Sequence, residues 1–156
     1  MKLLRVGEIG KEIPAVIDDE NKIRDLSHII KDLSPENLTF EILEKIKKTN
    51  LKSLSQLDNN QRIGACVTKP ANFFAIGLNY KAHAEETNSD APKEPIVFNK
   101  SPHCLIGPND KVIIRQCSKS CADEEKIAII IGSNEIYDKD KADTDISLGI
   151  WSCIAC

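Results

Sequence analysis

The sequence predicts an α+β fold that is mainly β, divided into a small N-terminal α+β domain over residues 1–62 and a larger β-rich domain over residues 63–156. Two observations support this division. The earlier residues combine short alternating segments with one amphipathic helix, whereas the later residues form apolar runs separated by Pro, Gly and Asn. The residue pattern changes near residue 62, which is where we expect a domain boundary.

The N-terminal domain is predicted to begin with a small β meander. Three segments alternate apolar and polar residues and are separated by Gly, Pro, Asp or Asn: KLLRVGE, IPAVIDD and KIRDLSHII. Residues 34–36, Ser-Pro-Glu, are typical of a helix start, and Phe40, Leu43 and Ile46 then recur every three residues before a group of lysines. This spacing predicts one amphipathic helix.

The second domain is predicted to consist mainly of strands. Five runs are rich in β-branched or aromatic residues: IGACVTKP, NFFAIGLN, PIVFNK, KVIIRQ and KIAIIIGS. Residues 107–110, Gly-Pro-Asn-Asp, are a turn signal between two of these runs.

The charge distribution argues against two classes of partner. The 156 residues include 21 basic and 24 acidic side chains, mixed along the chain, with a net charge of −3. Such a chain has no field that would attract nucleic acid or an anionic membrane. Charges return too early for a secretory leader, and no stretch approaches the ~18 apolar residues of a membrane span. We therefore expect a soluble, cytoplasmic protein.

The six cysteines are expected to be reduced in that compartment. Two pairs nevertheless have spacings that a tetrahedral zinc site could use, Cys117 with Cys121 and Cys153 with Cys156. The second pair lies in the apolar run GIWSCIAC, where cysteines also fit as small buried hydrophobic residues. A four-cysteine zinc-binding module is one alternative function.

Two segments contain residue types suited to catalysis. His83 and Glu86 are three residues apart, so a helix over residues 80–87 would place them on one face, where the carboxylate could orient the imidazole as a general base. Lys100 ends the predicted strand PIVFNK, where its ammonium could meet a carbonyl or an anion. Both observations also fit ordinary solvated side chains.

An acidic cluster, Asp123-Glu124-Glu125, precedes the apolar run KIAIIIG. Residues two apart in a strand share a face, so carboxylates at that spacing could bind a hard cation such as Mg²⁺. The alternative is a solvated strand end.

Taken together, residues 73–114 resemble the fumarylacetoacetate hydrolase family. Members of that family have three motifs in this order: G-x-N-Y-x-x-H-x-x-E, P-K-E-P-x-x-F-x-K and an I-G-P turn. This chain reads GLNYKAHAEE, PKEPIVFNK and IGP. The resemblance extends to about Gly149 and implies part of that family's β-roll or mixed β-sandwich, preceded by the small N-terminal domain.

The resemblance implies a metal-dependent hydrolase, lyase or isomerase that acts on a small keto acid or diketone, by C–C bond hydrolysis or related enolate chemistry. It assigns Mg²⁺ or Mn²⁺ as the cofactor. His83 and Glu86 become the pair that activates water, and Lys100 becomes a contact to substrate oxygens. A homodimer is one assembly compatible with this assignment.

The metal-ligand motif departs from the family pattern. In family members, the motif D-[WY]-E-x-E-[LI]-A leads into the apolar strand, and both of its glutamates are metal ligands. This chain has Glu124 at the first ligand position and Lys126 at the second. A bulge before Ile127 would present Asp123 and Glu125 instead.

The family's third ligand is an aspartate in N-D-[VI]-S-x-R, after a glycine that matches Gly149. At that point this chain reads GIWSCIAC and stops. We therefore expect a C-terminally truncated family protein, through a truncated gene, a decaying copy or a frame change, with impaired metal binding. The alternative is a non-catalytic fragment or binding module on the same scaffold.

Overall fold

A computed structural model describes residues 1–80, 92–114, 116, 125–131 and 147–154. The chain forms two compact units: the first contains Met1–Thr68 and Ile106–Cys156, and the second contains Lys69–Leu105. The described elements are mainly strands with few helices, which confirms the predicted fold class. The predicted domain boundary at residue 62 lies inside the first unit and stays a prediction.

The first unit opens with the predicted β meander. Strands β1 (Lys2–Val6), β2 (Ile13–Ile17) and β3 (Ile23–Asp25) are antiparallel and lie in that order. Because side chains alternate across a strand, the Leu3–Val16 pair lies on one face and the Leu4–Ala15 pair lies on the other. The two pairs belong to different buried apolar clusters, so both faces of the meander are covered.

Helix α1 (Phe40–Lys48) contributes to one of these clusters, as its spacing predicts. Leu43 and Ile46 are buried in the cluster that contains Leu3 and Val16. Burying two side chains of this size contributes about 3–6 kcal/mol. Phe40, the third residue of the predicted apolar face, is 52% exposed.

The helix begins later than the signal at residues 34–36 predicts. The carbonyl of Ser34 accepts hydrogen bonds from the Asn37 and Leu38 amides, at 3.0 and 2.8 Å, and so closes a separate turn. Thr39 is the N-cap instead, because its Oγ1 accepts a hydrogen bond from the Ile42 amide at 3.3 Å. A 3₁₀ helix, Leu51–Ser53, follows α1.

The remaining strands form two antiparallel pairs. The second unit contains β4 (Phe73–Gly77) and β5 (Ile96–Lys100), followed by the 3₁₀ helix Pro102–Cys104. The first unit contains β6 (Glu125–Ile131) and β7 (Ser147–Ile154). None of the described helices has the length and apolar character that a membrane crossing requires.

Two of the predicted strands are not strands where the structure describes them. In the run over residues 63–70, only Ile63 forms a bridge, to Val6. In the run over residues 111–116, the described residues 111–114 and 116 belong to no strand. A strand needs a partner as well as β propensity, and local sequence reports only the propensity.

Candidate functional site

The β4–β5 hairpin joins two of the three motifs. β4 ends at Gly77, the first residue of GLNY, and β5 contains Phe98 and Lys100 of PKEPIVFNK. The register pairs Gly77 with Ile96 at one end of the hairpin and Phe73 with Lys100 at the other. Strand pairing therefore brings the first residue of one motif and the last five residues of another into one small sheet.

A cross-strand contact explains the glycine at position 77. A Cβ atom there would lie 2.6 Å from Cε2 and 2.9 Å from Cζ of Phe98. No side chain fits at that distance unless the ring moves, so the Phe98 ring lies directly against the Gly77 backbone. The glycine of the first motif and the phenylalanine of the second therefore contact each other.

The segment with the predicted base pair leaves the hairpin after Gly77. Leu78 has a φ of +48°, a left-handed conformation that leucine rarely adopts. His83 and Glu86 lie in residues 81–91, outside the described residues, so their helix and their shared face stay predictions.

Lys100 is placed as the sequence predicts, at the end of a strand. It is partly buried and pairs with Phe73. Its position in β5 is four residues from that of Ile96, which is about 13 Å along a strand. The connection that carries His83 starts at the Ile96 end of the hairpin, and Lys100 lies at the opposite end.

The third motif, the I-G-P turn, is anchored by Arg62. Nε and Nη2 of Arg62 donate to the two carboxylate oxygens of Asp110, at 2.7 and 2.5 Å, and the Gly107 amide donates to Asp110 at 2.7 Å. A Cβ atom at Gly107 would lie 2.1 Å from the carbonyl oxygen of Ile63. The turn therefore lies directly against the backbone that follows Arg62.

Arg62 also connects this turn to the N-terminal strands. Its Nη1 donates to Oε1 of Glu12 at 2.8 Å. Arg5 lies 3.6 Å from the other oxygen of Glu12 and donates to Asp32 through Nε at 2.7 Å. Asp32, Arg5, Glu12, Arg62 and Asp110 thus alternate in charge along one connected chain, which we call the arginine network.

The arginine network favours the charged forms of three of its members, Glu12, Arg62 and Asp110. Hydrogen bonds to Asp110 and then to Glu12 raise the pKa of Arg62, and the hydrogen bond from Arg62 lowers the pKa of Asp110. Burial raises the pKa of Glu12, but hydrogen bonds from Arg62 and Gly10 and the charge of Arg5 outweigh it, so this pKa is lowered overall. No local sequence pattern predicts this network, because Arg62 and Glu12 are 50 residues apart.

The second predicted metal-ligand position lies in β6. Lys126 pairs with Cys153, and the register is regular from Glu125 to Ile130. Within the strand as described, a shift occurs only after Ile130, so the register contains no bulge just before Ile127.

The other predicted ligands lie outside the described residues. These are Asp123 and Glu124 of the acidic cluster and Cys117, Cys121 and Cys156 of the cysteine set, so both ligand sets stay predictions. In the part of the chain that the structure describes, no group of three or more His, Cys, Asp or Glu side chains could hold a metal ion.

Sequence comparisons agree with the motifs. The family model for the fumarylacetoacetate (FAA) hydrolase C-terminal region matches residues 72–146. A protein of Burkholderia ambifaria named "Putative hydrolase" is 38% identical over 133 residues, which are 85% of this chain and 47% of that protein. A protein of the same description from Burkholderia lata is 39% identical over the same shares. The chain spans about half the length of these curated relatives.

Solved structures show the same fold. A fumarylacetoacetate hydrolase from Exiguobacterium antarcticum matches 97% of this chain and 54% of its own, with a TM-score of 0.69 and 23% identity. A "putative HpcE protein" from Mycobacterium smegmatis matches 96% of this chain and 53% of its own, with a TM-score of 0.71 and 20% identity. The family model and the Burkholderia relatives show that the chain belongs to the fumarylacetoacetate hydrolase family.

Proposed function

We propose that this chain provides the substrate-binding segment of a fumarylacetoacetate-hydrolase-type active site for a small keto acid or diketone. The reaction class is C–C bond hydrolysis or related lyase or isomerase chemistry through an enolate. The observation that supports this proposal is the β4–β5 hairpin, in which Gly77 contacts Phe98 and Lys100 ends the same strand as Phe98. This contact and the pairing of β4 with β5 hold Gly77 and Ile96, the residues on either side of the connection that carries His83 and Glu86.

In this proposal each of the three side chains has one role. His83 accepts a proton from water, which then attacks the carbonyl carbon, and Glu86 holds the imidazole in the tautomer that can accept the proton. Lys100 donates a hydrogen bond to a carbonyl oxygen of the substrate and stabilises negative charge on that oxygen as the bond breaks.

The residues fit the family's Mg²⁺ or Mn²⁺ poorly. The second ligand position is Lys126, in a strand whose register is regular from Glu125 to Ile130. A protonated lysine has no lone pair for a metal ion, and a positive charge about 4 Å away opposes a divalent cation by roughly several kcal/mol at an effective dielectric constant near 20. We therefore propose that this chain binds divalent cations weakly.

The same lysine favours a second candidate function, a non-catalytic binding module on the family scaffold. Such a module would bind the keto acid through Lys100 without turning it over. The four-cysteine zinc module stays a prediction, because Cys117, Cys121 and Cys156 lie outside the described residues. A cytoplasmic location and a homodimer are further proposals that rest on the sequence and the family.

The proposal can be tested with acetylpyruvate, which is both a keto acid and a β-diketone. We expect saturable binding in an NMR titration and an affinity about 10- to 150-fold weaker in Lys100→Met, since a hydrogen bond to a charged group contributes about 1.5–3 kcal/mol. Lys69→Met, which changes an exposed lysine of the same unit, is the matched control and should leave binding unchanged.

Two results separate the candidate functions. Slow hydrolysis of bound acetylpyruvate that is lost in His83→Gln supports the enzyme, whereas binding without hydrolysis supports the binding module. Equal affinities of the unmodified chain and Lys100→Met would contradict the role of Lys100 in both.

A further inference from the structure

We propose that Phe98 is a specificity-determining residue and that the preferred substrates are keto acids with an aromatic acyl group. This preference rests on the proposed function, in which Lys100 contacts a carbonyl oxygen of the substrate. In addition, Phe98 contacts the acyl group that is attached to that carbonyl.

Lys100 and Phe98 lie on the same face of the β4–β5 hairpin. Residues directly opposite each other in an antiparallel pair share a face, and so do residues two apart in one strand. By the described register, the face that contains Lys100, which we call the lysine face, consists of Phe73, Ala75, Gly77, Ile96, Phe98 and Lys100. The opposite face consists of Phe74, Ile76, Val97 and Asn99.

The lysine face is apolar except at one end. Lys100 is the last residue of β5 and, within the described register of this face, the only residue with a polar side chain. An ammonium at the end of an apolar face complements a ligand that has an oxygen-rich end and an apolar end. The described register ends at the pairing of Phe73 with Lys100, so the face extends from Lys100 only toward Phe98. An acyl group on the carbonyl that Lys100 contacts therefore lies along this face.

The Phe98 ring is held in position and remains accessible. A Cβ atom at Gly77 would lie 2.6 Å from Cε2 and 2.9 Å from Cζ of Phe98, so the ring lies over the glycine. Phe98 is nevertheless 50% exposed, and this exposed surface can contact a ligand. A ring that a neighbouring backbone already holds in position loses little conformational entropy when a ligand packs against it.

The spacing of the two side chains suits an acyl group on a short keto acid. Phe98 and Lys100 are two residues apart, which is about 6.6 Å along a strand. Ala75, which pairs with Phe98, contributes only a methyl group to the lysine face. A planar ring on the acyl group can meet the Phe98 ring in an offset or edge-to-face arrangement, which contributes more than apolar burial alone. An aromatic acyl group is therefore the substituent that suits the lysine face best.

The test compares benzoylpyruvate with acetylpyruvate, in which a methyl group replaces the phenyl ring. We expect the unmodified chain to bind benzoylpyruvate about 2- to 12-fold more tightly in an NMR titration, which is the factor that an aromatic pair contributes. Phe98→Ala should bring the ratio of the two affinities close to one. Phe74→Ala is the matched control, because it removes the same side chain from the opposite face, where Phe74 is 58% exposed, and it should keep the ratio.

A second measurement needs no variant and so does not depend on the folding of Phe98→Ala. Nuclear Overhauser effects from the phenyl protons of bound benzoylpyruvate should reach the ring protons of Phe98 and not those of Phe74. Effects at Phe74 without effects at Phe98 would overturn the proposal.

The ratio of the affinities is separate from the role of Lys100, because Lys100→Met should weaken the binding of both acids by the same factor. Equal affinities of the unmodified chain for the two acids overturn the role of Phe98 and leave the proposed function in place. The same holds for a ratio that Phe98→Ala keeps or that Phe74→Ala loses. A ratio that depends on Phe98, with affinities that Lys100→Met does not change, supports the role of Phe98 and contradicts the proposed function. Absence of binding of either acid overturns both.

Discussion

Replacing Arg62 by Met should lower the free energy of unfolding by more than the loss of an exposed ion pair does. Arg62 donates to Glu12 at 2.8 Å, and the exposed fractions of the two side chains are 26% and 8%. Lys11 and Glu8 form a pair of nearly the same length, 2.9 Å, but their side chains are 77% and 78% exposed. The two pairs differ in burial, and Arg62 also donates to both carboxylate oxygens of Asp110, so Lys11→Met is the control for the loss of one exposed ion pair.

The expected magnitude follows from that difference. Removing one partner of a fully buried ion pair destabilises a protein by about 3–5 kcal/mol, because the other charge is left without compensation. Arg62 is partly exposed and Glu12 retains Arg5 at 3.6 Å, so we expect a smaller loss of about 2–4 kcal/mol in the free energy of unfolding. The Lys11→Met loss should stay below about 0.5 kcal/mol.

Urea unfolding followed by circular dichroism measures both losses under the same conditions. The Arg62→Met loss corresponds to a fall in Tm of about 4–16 °C for a chain of this length. Equal losses in the two variants would refute the reasoning, because they would show that neither the burial of Arg62 nor its hydrogen bonds to Asp110 make its ion pairs stronger than an exposed one.

Two further predictions concern the same region. Gly107→Ala should lower the free energy of unfolding by about 1–3 kcal/mol, because the new methyl would overlap the carbonyl oxygen of Ile63, whereas Asn109→Ala in the same turn should change it by less than about 0.5 kcal/mol in urea unfolding. The folded-state pKa values of Glu12 and Asp110 are lowered, so these carboxylates stabilise the fold fully above their unfolded-state pKa values and lose that effect as pH falls through the lower folded-state pKa values. The free energy of unfolding should therefore decrease below about pH 4, and it should decrease less steeply with pH in Arg62→Met. The same dependence on pH in both proteins would contradict this.

Local patterns in the sequence predicted the elements that depend on local spacing. The meander follows from apolar alternation, and the buried face of α1 follows from the positions of Leu43 and Ile46. The start of α1 was misplaced, because Ser34 closes a turn of its own and leaves Thr39 to cap the helix. The position of Lys100 at the end of a strand also follows from local sequence, because the apolar run before it is short and ends in polar residues.

Features that join distant residues could not be predicted in this way. The Gly77–Phe98 contact depends on the register of two strands, which the sequence alone does not specify across a long connection. Arg62 and Asp110 are 48 residues apart, and their pairing appears only when the turn lies against the backbone after Arg62. Such contacts depend on tertiary geometry, so periodicity and motif spacing do not report them.

We propose that Lys126 stands where the family has its second metal ligand and that this lysine weakens the binding of divalent cations. Titration of Mn²⁺ into the unmodified chain and into Lys126→Glu tests it most directly, with Lys111→Glu, a change at an exposed lysine of the same unit, as the control for added negative charge. We expect negligible binding at millimolar Mn²⁺ by the unmodified chain and by Lys111→Glu, and measurable binding by Lys126→Glu. Tight binding by the unmodified chain, or no gain in Lys126→Glu, would contradict the claim.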